Sequence, residues 1–323
     1  MVCSCRQIAL GSAAALWLGL AAGPVQAQAW PSRWITLVVP FAPGGNVDAP
    51  ARLFARELAM KLGHDVVVEN KTGAGGGIAS TFVAKARPDG YTLLLTASGP
   101  AVFNKLLYKT LSYDPDADFT PIIITNDVPQ ALVVGPQSPI GSVADLVAAA
   151  KARRGAFTLA HAGPGTTGHL ACVLFIAHTG IEVQLVSYRG GAPMITDLLG
   201  GHIDAGFPAY IPQVATVKAI AITSDVRMSF LPQVPTIRES GISDLTATTW
   251  NALMGPAGLP SDIVERLNGI LNRYLATDTA KAELAAMGGR VLGGSPQDVV
   301  RIMAEERSKW APIIKAANIV LEP

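Results

Sequence analysis

Five times along this chain a short apolar run ends in a glycine-rich or small-residue loop, after which hydrophobic residues resume at helical spacing. The loops occupy residues 41–48, 72–77, 96–99, 161–169 and 188–193. The run from Trp34 to Val39 is continuous rather than alternating, the pattern of a strand covered on both faces. Ala51, Phe54, Leu58 and Leu62 then recur on one helical face until Gly63 stops them. Repetition of strand, loop and helix predicts an α/β fold with mostly parallel sheets, because parallel neighbours need a long crossover.

Residues 66–68 and 91–96 continue this first series as strands, with a helix over 78–86 between them. A second series starts near residue 130, with strands over 131–134, 157–160, 183–187 and 217–223. Its helices are expected over 142–154, opened by the capping box of Ser142 and Asp145, over 168–179, and from Pro193 to Gly200. The tail reads as helices over 260–276 and 277–287, and a last one from Ser295 to about residue 316. It has too few strands for a third sheet and is expected to pack back onto the first series. The division is then a first lobe of residues 30–128 plus 248–323 and an inserted second lobe of 129–247, joined by two chain crossings that form a hinge.

The first 27 residues join a positive charge, Arg6, to an apolar run from Ile8 to Ala22 and a small-residue site ending at Ala27, the pattern of a cleaved secretory signal. No later stretch reaches the roughly 18 to 20 uninterrupted apolar residues that span a bilayer, so a soluble mature protein is expected. Cys3 and Cys5 leave with the signal, and Cys172 is left to serve as a buried thiol without a disulfide partner. Of 25 Lys and Arg residues only Arg6 lies in the leader, leaving 24 against 24 Asp and Glu. This balance gives no electrostatic reason to expect nucleic acid as a partner.

In open α/β sheets the carboxyl ends of the strands face the ligand crevice, so the five loops should gather at one edge. Helix starts there offer unpaired N–H groups and partial positive charge, which suits an anion. No loop matches G-x-x-x-x-G-K-[ST], and Ile78 stands where G-x-G-x-x-G requires its last glycine, so nucleotide signatures are missing. A G-x-S-x-G elbow and an H-E-x-x-H pair are also missing, and the histidines at 64, 161, 169, 178 and 202 form no zinc-spaced cluster. His169 is the histidine expected at the crevice, as a ligand contact or a structural hydrogen bond. Asp48, just inside a helix start, is expected to orient loop N–H groups and an ordered water. Neither a metal nor an organic cofactor is expected.

These residues resemble the Bug family of periplasmic solute-binding proteins, the receptors of tripartite tricarboxylate transporters. The likeness rests on the run from Pro40 to Gly45 with Asp48 and Arg52, on Glu69, Asn70 and Lys71 before the glycines at 73 to 77, and on Ala86 to Thr92. It continues through Gly163 to Leu170, Tyr188, Arg189 and Gly190, Asp197 to Asp204, Leu231 to Thr236, Glu239 to Gly241, and Trp250 to Pro260. The resemblance implies a two-lobed periplasmic-binding-protein fold of the Venus-flytrap type II class, each lobe a mostly parallel sheet flanked by helices. It also implies that the loops at 41–48 and 163–169 act as pincers around a small organic mono- or dicarboxylate. The expected ligand-binding residues are Phe41, Pro43, Gly44, Gly45, Asn46, Asp48, Ser98, Gly163, Gly165, Thr166, Thr167, His169, Arg189, Gly190 and Asp204.

The chain departs from that pattern at Val173, where the family usually carries a glutamate, and at Cys172, where glycine is commoner. Arg189 stands where lysine usually follows Tyr188, offering a forked donor suited to a carboxylate. Residues 210–217 also read as shortened. The function implied is that of a monomeric periplasmic receptor without catalytic activity, delivering its acid to the membrane subunits of a tripartite transporter. A co-sensor for a membrane signalling kinase is the second reading and a secreted enzyme the third.

Overall fold

The computed structural model describes residues 30–228, 230–243, 245–316 and 319–321; the leader, with Cys3 and Cys5, lies outside them. The chain runs β1 (Ile35–Val39), α1 (Asp48–Leu62), β2 (Val66–Asn70), α2 (Gly77–Ala84), β3 (Thr92–Ala97), a wide helical turn Gly99–Phe103, α3 (Asn104–Leu107) and β4 (Phe119–Pro129). A second set follows: β5 (Ala131–Val134), α4 (Val143–Ala152), β6 (Thr158–His161), α5 (Thr167–Thr179), β7 (Gln184–Ser187), α6 (Gly191–Leu199), β8 (Ala205–Phe207) and β9 (Lys218–Ile222). The chain then returns through β10 (Thr248–Pro256), α7 (Ser261–Leu275), α8 (Asp278–Ala286), β11 (Arg290–Val291) and α9 (Pro296–Ala316).

Two sheets result, ordered β11-β4-β10-β3-β1-β2 and β7-β6-β8-β5-β9. The α/β two-lobed class predicted from sequence is the one observed, but the sheets are mixed rather than mostly parallel. Strands β2, β1 and β3 are parallel, as are β7, β6 and β8, each joined by helical crossovers. The antiparallel part comes from chain crossings. Strand β4 leaves the first sheet and, after Gln130 alone, becomes β5 of the second, while β10 brings the chain back. Running in opposite directions, β10 and β4 pair from Thr248↔Pro129 to Pro256↔Phe119, with irregular register at Asn251/Ala252 and Leu253/Met254. Sequence reading passes over β4 because Pro121, Asn126, Asp127 and Pro129 interrupt it with residues that strands disfavour.

Each face of each sheet is covered. On β1, Leu37 packs with Phe54, Leu58, Leu267 and Leu271, whereas Val38 faces the opposite cluster with Val83, Phe103 and Trp310. On β5, Val133 joins Met194 and Ile195, whereas Leu132 joins Phe175 and Phe207. The cluster containing Phe103 and Trp310 continues without a break to Phe175 and Phe207, so apolar packing runs from one lobe into the other. Residues 210–217, read as short, form a single tight turn at Pro212–Thr216. Cys172 is fully buried on α5 as a free thiol, and burial pushes its ionisation up. Among the described residues no helix is long and apolar enough to cross a membrane.

The C-terminal helix α9 docks on the first sheet through Trp310, which is 1 % exposed and meets Phe103 edge-on at 5.5 Å. The Trp310 indole N–H donates to Glu306 Oε2 at 2.9 Å. Trp310→Ala should lower unfolding free energy by about 3–5 kcal/mol, measured by urea denaturation. A loss below about 1 kcal/mol would mean that the tail contributes little to the first core.

Candidate functional site

Because both sheets point their carboxyl strand ends inward, the loops after β1, β3, β6, β7 and β8 meet between the lobes. They surround a small cavity between the lobes. Its walls are Phe41, Gly45 and Asn46 after β1, Ala97 and Gly99 after β3, Thr166 to Gly168 at the start of α5, and Gly190 and Gly191 at the start of α6. Ala162 after β6, Ala209 after β8, Thr249 on β10 and Gln130 between β4 and β5 complete it. Among the described residues no Asp, Glu, Lys, Arg or His lines this space.

Positive potential therefore comes from the main chain. The N–H groups of Gly45, Asn46, Thr167, Gly168, Gly190 and Gly191 have no acceptor among the described residues. Three of the loops lead into α1, α5 and α6, so the amides just before α1 and those at the starts of α5 and α6 face the cavity. The hydroxyls there are partly committed. Thr166 Oγ1 donates to Gly163 O at 2.7 Å and accepts from His169 N at 3.2 Å, so it caps α5. The Asn46 carboxamide has no hydrogen bond among the described residues, while Gln130 Nε2 donates to Thr249 Oγ1 at 2.8 Å.

Buried polar groups hold the two pincer loops. Asp48 is 1 % exposed and accepts Gly44 N at 2.8 Å, Asn70 Nδ2 at 2.8 Å and Arg52 through both oxygens at 3.0 Å. Burial opposes its ionisation, but these hydrogen bonds outweigh burial and hold the carboxyl below its usual range. Asn70 Nδ2 also donates to Phe41 O at 2.9 Å, closing the loop on itself. In the second loop, Gly163 N donates to His161 Nδ1 at 3.2 Å and Gly165 N to His169 Nδ1 at 3.3 Å. The two imidazoles lie 4.5 Å apart between ring centres. Burial, and for His161 its histidine neighbour, pushes them down to about 3 and about 4. Both are therefore neutral at pH 7 and act as acceptors.

The lobes touch at the seam. Ser98 and Thr167 share a buried hydroxyl–hydroxyl hydrogen bond at 3.0 Å, and Ala42 N donates to Arg189 O at 3.3 Å. Gly165 lies in the left-handed region at φ +71°, and a Cβ there would stand 2.3 Å from Asn104 Oδ1 of the opposite lobe. A Cβ on Gly168 would stand 2.3 Å from Phe207 O, so α5 approaches β8 closely only because that residue is glycine.

The expected site residues thus separate. Phe41, Gly45, Asn46, Thr166, Thr167 and Gly190 face the cavity, while Gly163 and Arg189 line an adjoining outer space. Gly44, Asp48, Ser98, Gly165 and His169 support the walls. His169 makes the structural hydrogen bond to Gly165 N and is not among the residues lining the cavity. Pro43 is exposed and lines neither space. Asp204 is a correction: it accepts Thr158 N at 2.8 Å and Arg153 Nη1 at 2.5 Å at the amino ends of β6 and β8, opposite the cavity. Gln130 and Thr249 were missed because they belong to the antiparallel crossing. Asn70 and Arg52 stood within recognised motifs, yet only the Asp48 geometry shows their use. Among the described residues no group of three or more His, Cys, Asp or Glu side chains could hold a metal.

The family model for the tripartite tricarboxylate transporter family receptor matches residues 50–319. Among solved structures, Rpa4515 of R. palustris with adipate is 36 % identical, covers 91 % of this chain and 100 % of its own, and superposes with a TM-score of 0.87. The periplasmic binding protein BugD is 33 % identical with a TM-score of 0.86, over 91 % of this chain and 100 % of its own. MatC of Rhodopseudomonas palustris with bound malate is 31 % identical with a TM-score of 0.84, over 88 % of this chain and 100 % of its own.

The histidine pair makes stability pH-dependent. An unfolded histidine binds its proton near pH 6.5, whereas His161 and His169 bind theirs only near 3 and 4 when folded. Between those limits the unfolded state holds more protons, so stability is complete above about pH 6.5 and falls as pH drops. The slope is up to about 1.4 kcal/mol per pH unit for each histidine. Urea unfolding from pH 7 to pH 4 should show this slope, and replacing both histidines with glutamine should flatten it. An unchanged slope in the double variant would remove the assignment.

Proposed function

Because the chain belongs to the tripartite tricarboxylate transporter receptor family, we propose that it is a periplasmic receptor that clamps a small organic carboxylate between its lobes and passes it to the transporter's membrane subunits. One observation carries this reading: a cavity between the lobes lined by no charged side chain among the described residues and faced by unpaired amides just before α1 and at the starts of α5 and α6. An anion desolvated there is stabilised by aligned N–H dipoles rather than by a neutralising side chain. Main-chain donors recognise a carboxylate and ignore the rest of the molecule, which suits a scaffold whose solved relatives carry adipate in one case and malate in another.

The lobe contacts describe how capture would proceed. Ser98 with Thr167 and Ala42 with Arg189 form only when the lobes meet, so a ligand bridging both shifts the population toward the closed form. That closed surface is what a membrane partner would recognise. Export to the periplasm is part of the same reading, supported by the leader pattern of the first 27 residues and by the periplasmic relative BugD.

Gly45→Val tests the cavity. A Cβ at Gly45 would meet only Ala42 O, at 3.4 Å, so a larger side chain enters the cavity without displacing the loop. Calorimetric titration with a panel of carboxylic acids should show binding by the parent chain without ligand turnover. The variant should bind at least about tenfold more weakly, a loss of about 1.4 kcal/mol, with its melting temperature nearly unchanged. Undiminished affinity would remove the cavity assignment, and consumption of the acid would replace the receptor reading with an enzymatic one.

A further inference from the structure

A strand at the rim of a sheet presents unpaired main-chain groups, and three of the four rims here are short or covered. β11 is two residues long. On β9, Ile222 N donates to Pro235 O at 3.0 Å and Ile222 O accepts Ile237 N at 2.8 Å, so the chain itself covers that edge. β7 spans four residues, and Glu182 beside it pairs with Arg154 at 2.5 Å. β2 is the longest open edge among the described residues, running from Val66 to Asn70 without proline or bulge. Asp65 O accepts Ile35 N at 2.9 Å and Lys71 N donates to Val39 O at 2.9 Å, so the odd-numbered residues bond to β1. The N–H and C=O groups of Val66, Val68 and Asn70 therefore point away from the sheet, and they have no partner among the described residues.

The side chains along this edge are self-complementary. Val66 and Val68 pack toward Leu37 and Phe54, which sends Val67 and Glu69 to the face that carries α2. There Val67 is 51 % exposed, and Phe82 on α2 is 46 % exposed under the Lys71 ammonium at 4.2 Å. Lys71 also pairs with Glu69 at 2.5 Å, whereas the exposed Asp65 carboxylate makes no ion pair or hydrogen bond among the described residues.

We propose that β2 is a dimerisation edge for a second copy of this chain, paired antiparallel with Val68 opposite Val68, in place of the monomer expected from sequence. In that register Val66 and Asn70 of the two copies exchange main-chain hydrogen bonds on either side of the twofold axis. The intervening pairs set Val67 opposite Glu69 and the unpaired Asp65 opposite Lys71, twice by symmetry, with Cα atoms about 4.5 Å apart. A centre at Asn70 would set Glu69 opposite Lys71 but run the pairing into the glycines after Thr72, outside the strand. Antiparallel pairing points the carboxyl ends of the two first sheets in opposite directions, so both ligand clefts stay open. Edges of this length bury little surface, which makes the dimer weak and concentration-dependent.

Sedimentation velocity of the mature chain from about 1 to about 300 µM should show a dimer with a Kd of roughly 10–100 µM. Asp65→Lys and Lys71→Glu each set like charges opposite one another and should weaken it about tenfold with melting temperatures nearly unchanged, and the double variant, which exchanges the pair, should return to within about threefold of the parent. Val68→Cys stands opposite itself about 5.5 Å away between Cα atoms and should form an interchain disulfide under mild oxidation. Cys172 is buried and does not compete, and Gln184→Cys on β7 should give no such crosslink. A monomer at every concentration, a dimer that neither single variant weakens, or crosslinking that fails at Val68 or occurs equally at Gln184 would overturn the β2 dimer. Weakening in the single variants without recovery in the double would overturn the pairing of Asp65 with Lys71, and the register with it.

Discussion

Everything in the cleft follows from one electrostatic constraint: no charged side chain among the described residues lines the inner cavity, so its positive potential comes from main-chain amides. Amides act over hydrogen-bonding distance, so several helix starts must be brought to one point. One lobe cannot do this, since its parallel strands spread their helices along the sheet edge. Two sheets facing each other across a crossing can, with α1 from one side and α5 and α6 from the other. Close approach of main chain to main chain then requires glycine where a Cβ would collide, as at Gly165 against Asn104 and Gly168 against Phe207.

A loop that presents amides must itself be held, and the protein does this with polar groups taken out of water. The buried Asp48 carboxylate is matched by Gly44, Asn70 and Arg52, so its burial is compensated by hydrogen bonds that also define the first pincer. The second pincer uses neutral imidazoles. His161 and His169 accept N–H groups from Gly163 and Gly165 without adding charge beside the cavity. Both devices keep donors oriented before a ligand arrives, which reduces the ordering cost of capture.

The crossing strands are tied to these loops by side-chain hydrogen bonds. Asn251 on β10 donates to Asn46 O at 2.9 Å and to Asn126 Oδ1 at 3.3 Å on β4, tying the loop after β1 to the crossing strands. Gln130 occupies the single position between β4 and β5 and reaches Thr249 across the crossing. The cavity floor and its walls are therefore one hydrogen-bonded unit with the crossing strands.

The sequence by itself determined the α/β class, the strands and helices of the two parallel series and the glycine-rich loops between them, because each depends on local periodicity or on conformations that neighbouring residues impose. The tertiary structure decided the rest. The sheets are mixed because β4 and β10 run past each other in opposite directions, a pairing that strand composition hid behind Pro121, Asn126 and Asp127. Gln130 and Thr249 meet although 119 residues separate them. Asp204 and the pincers both belong to recognisable motifs, yet strand direction sends Asp204 to the far end of the sheet and the pincers to the cleft. Which end of a strand a residue occupies is local information; which end faces the other lobe arises only when two sheets pack.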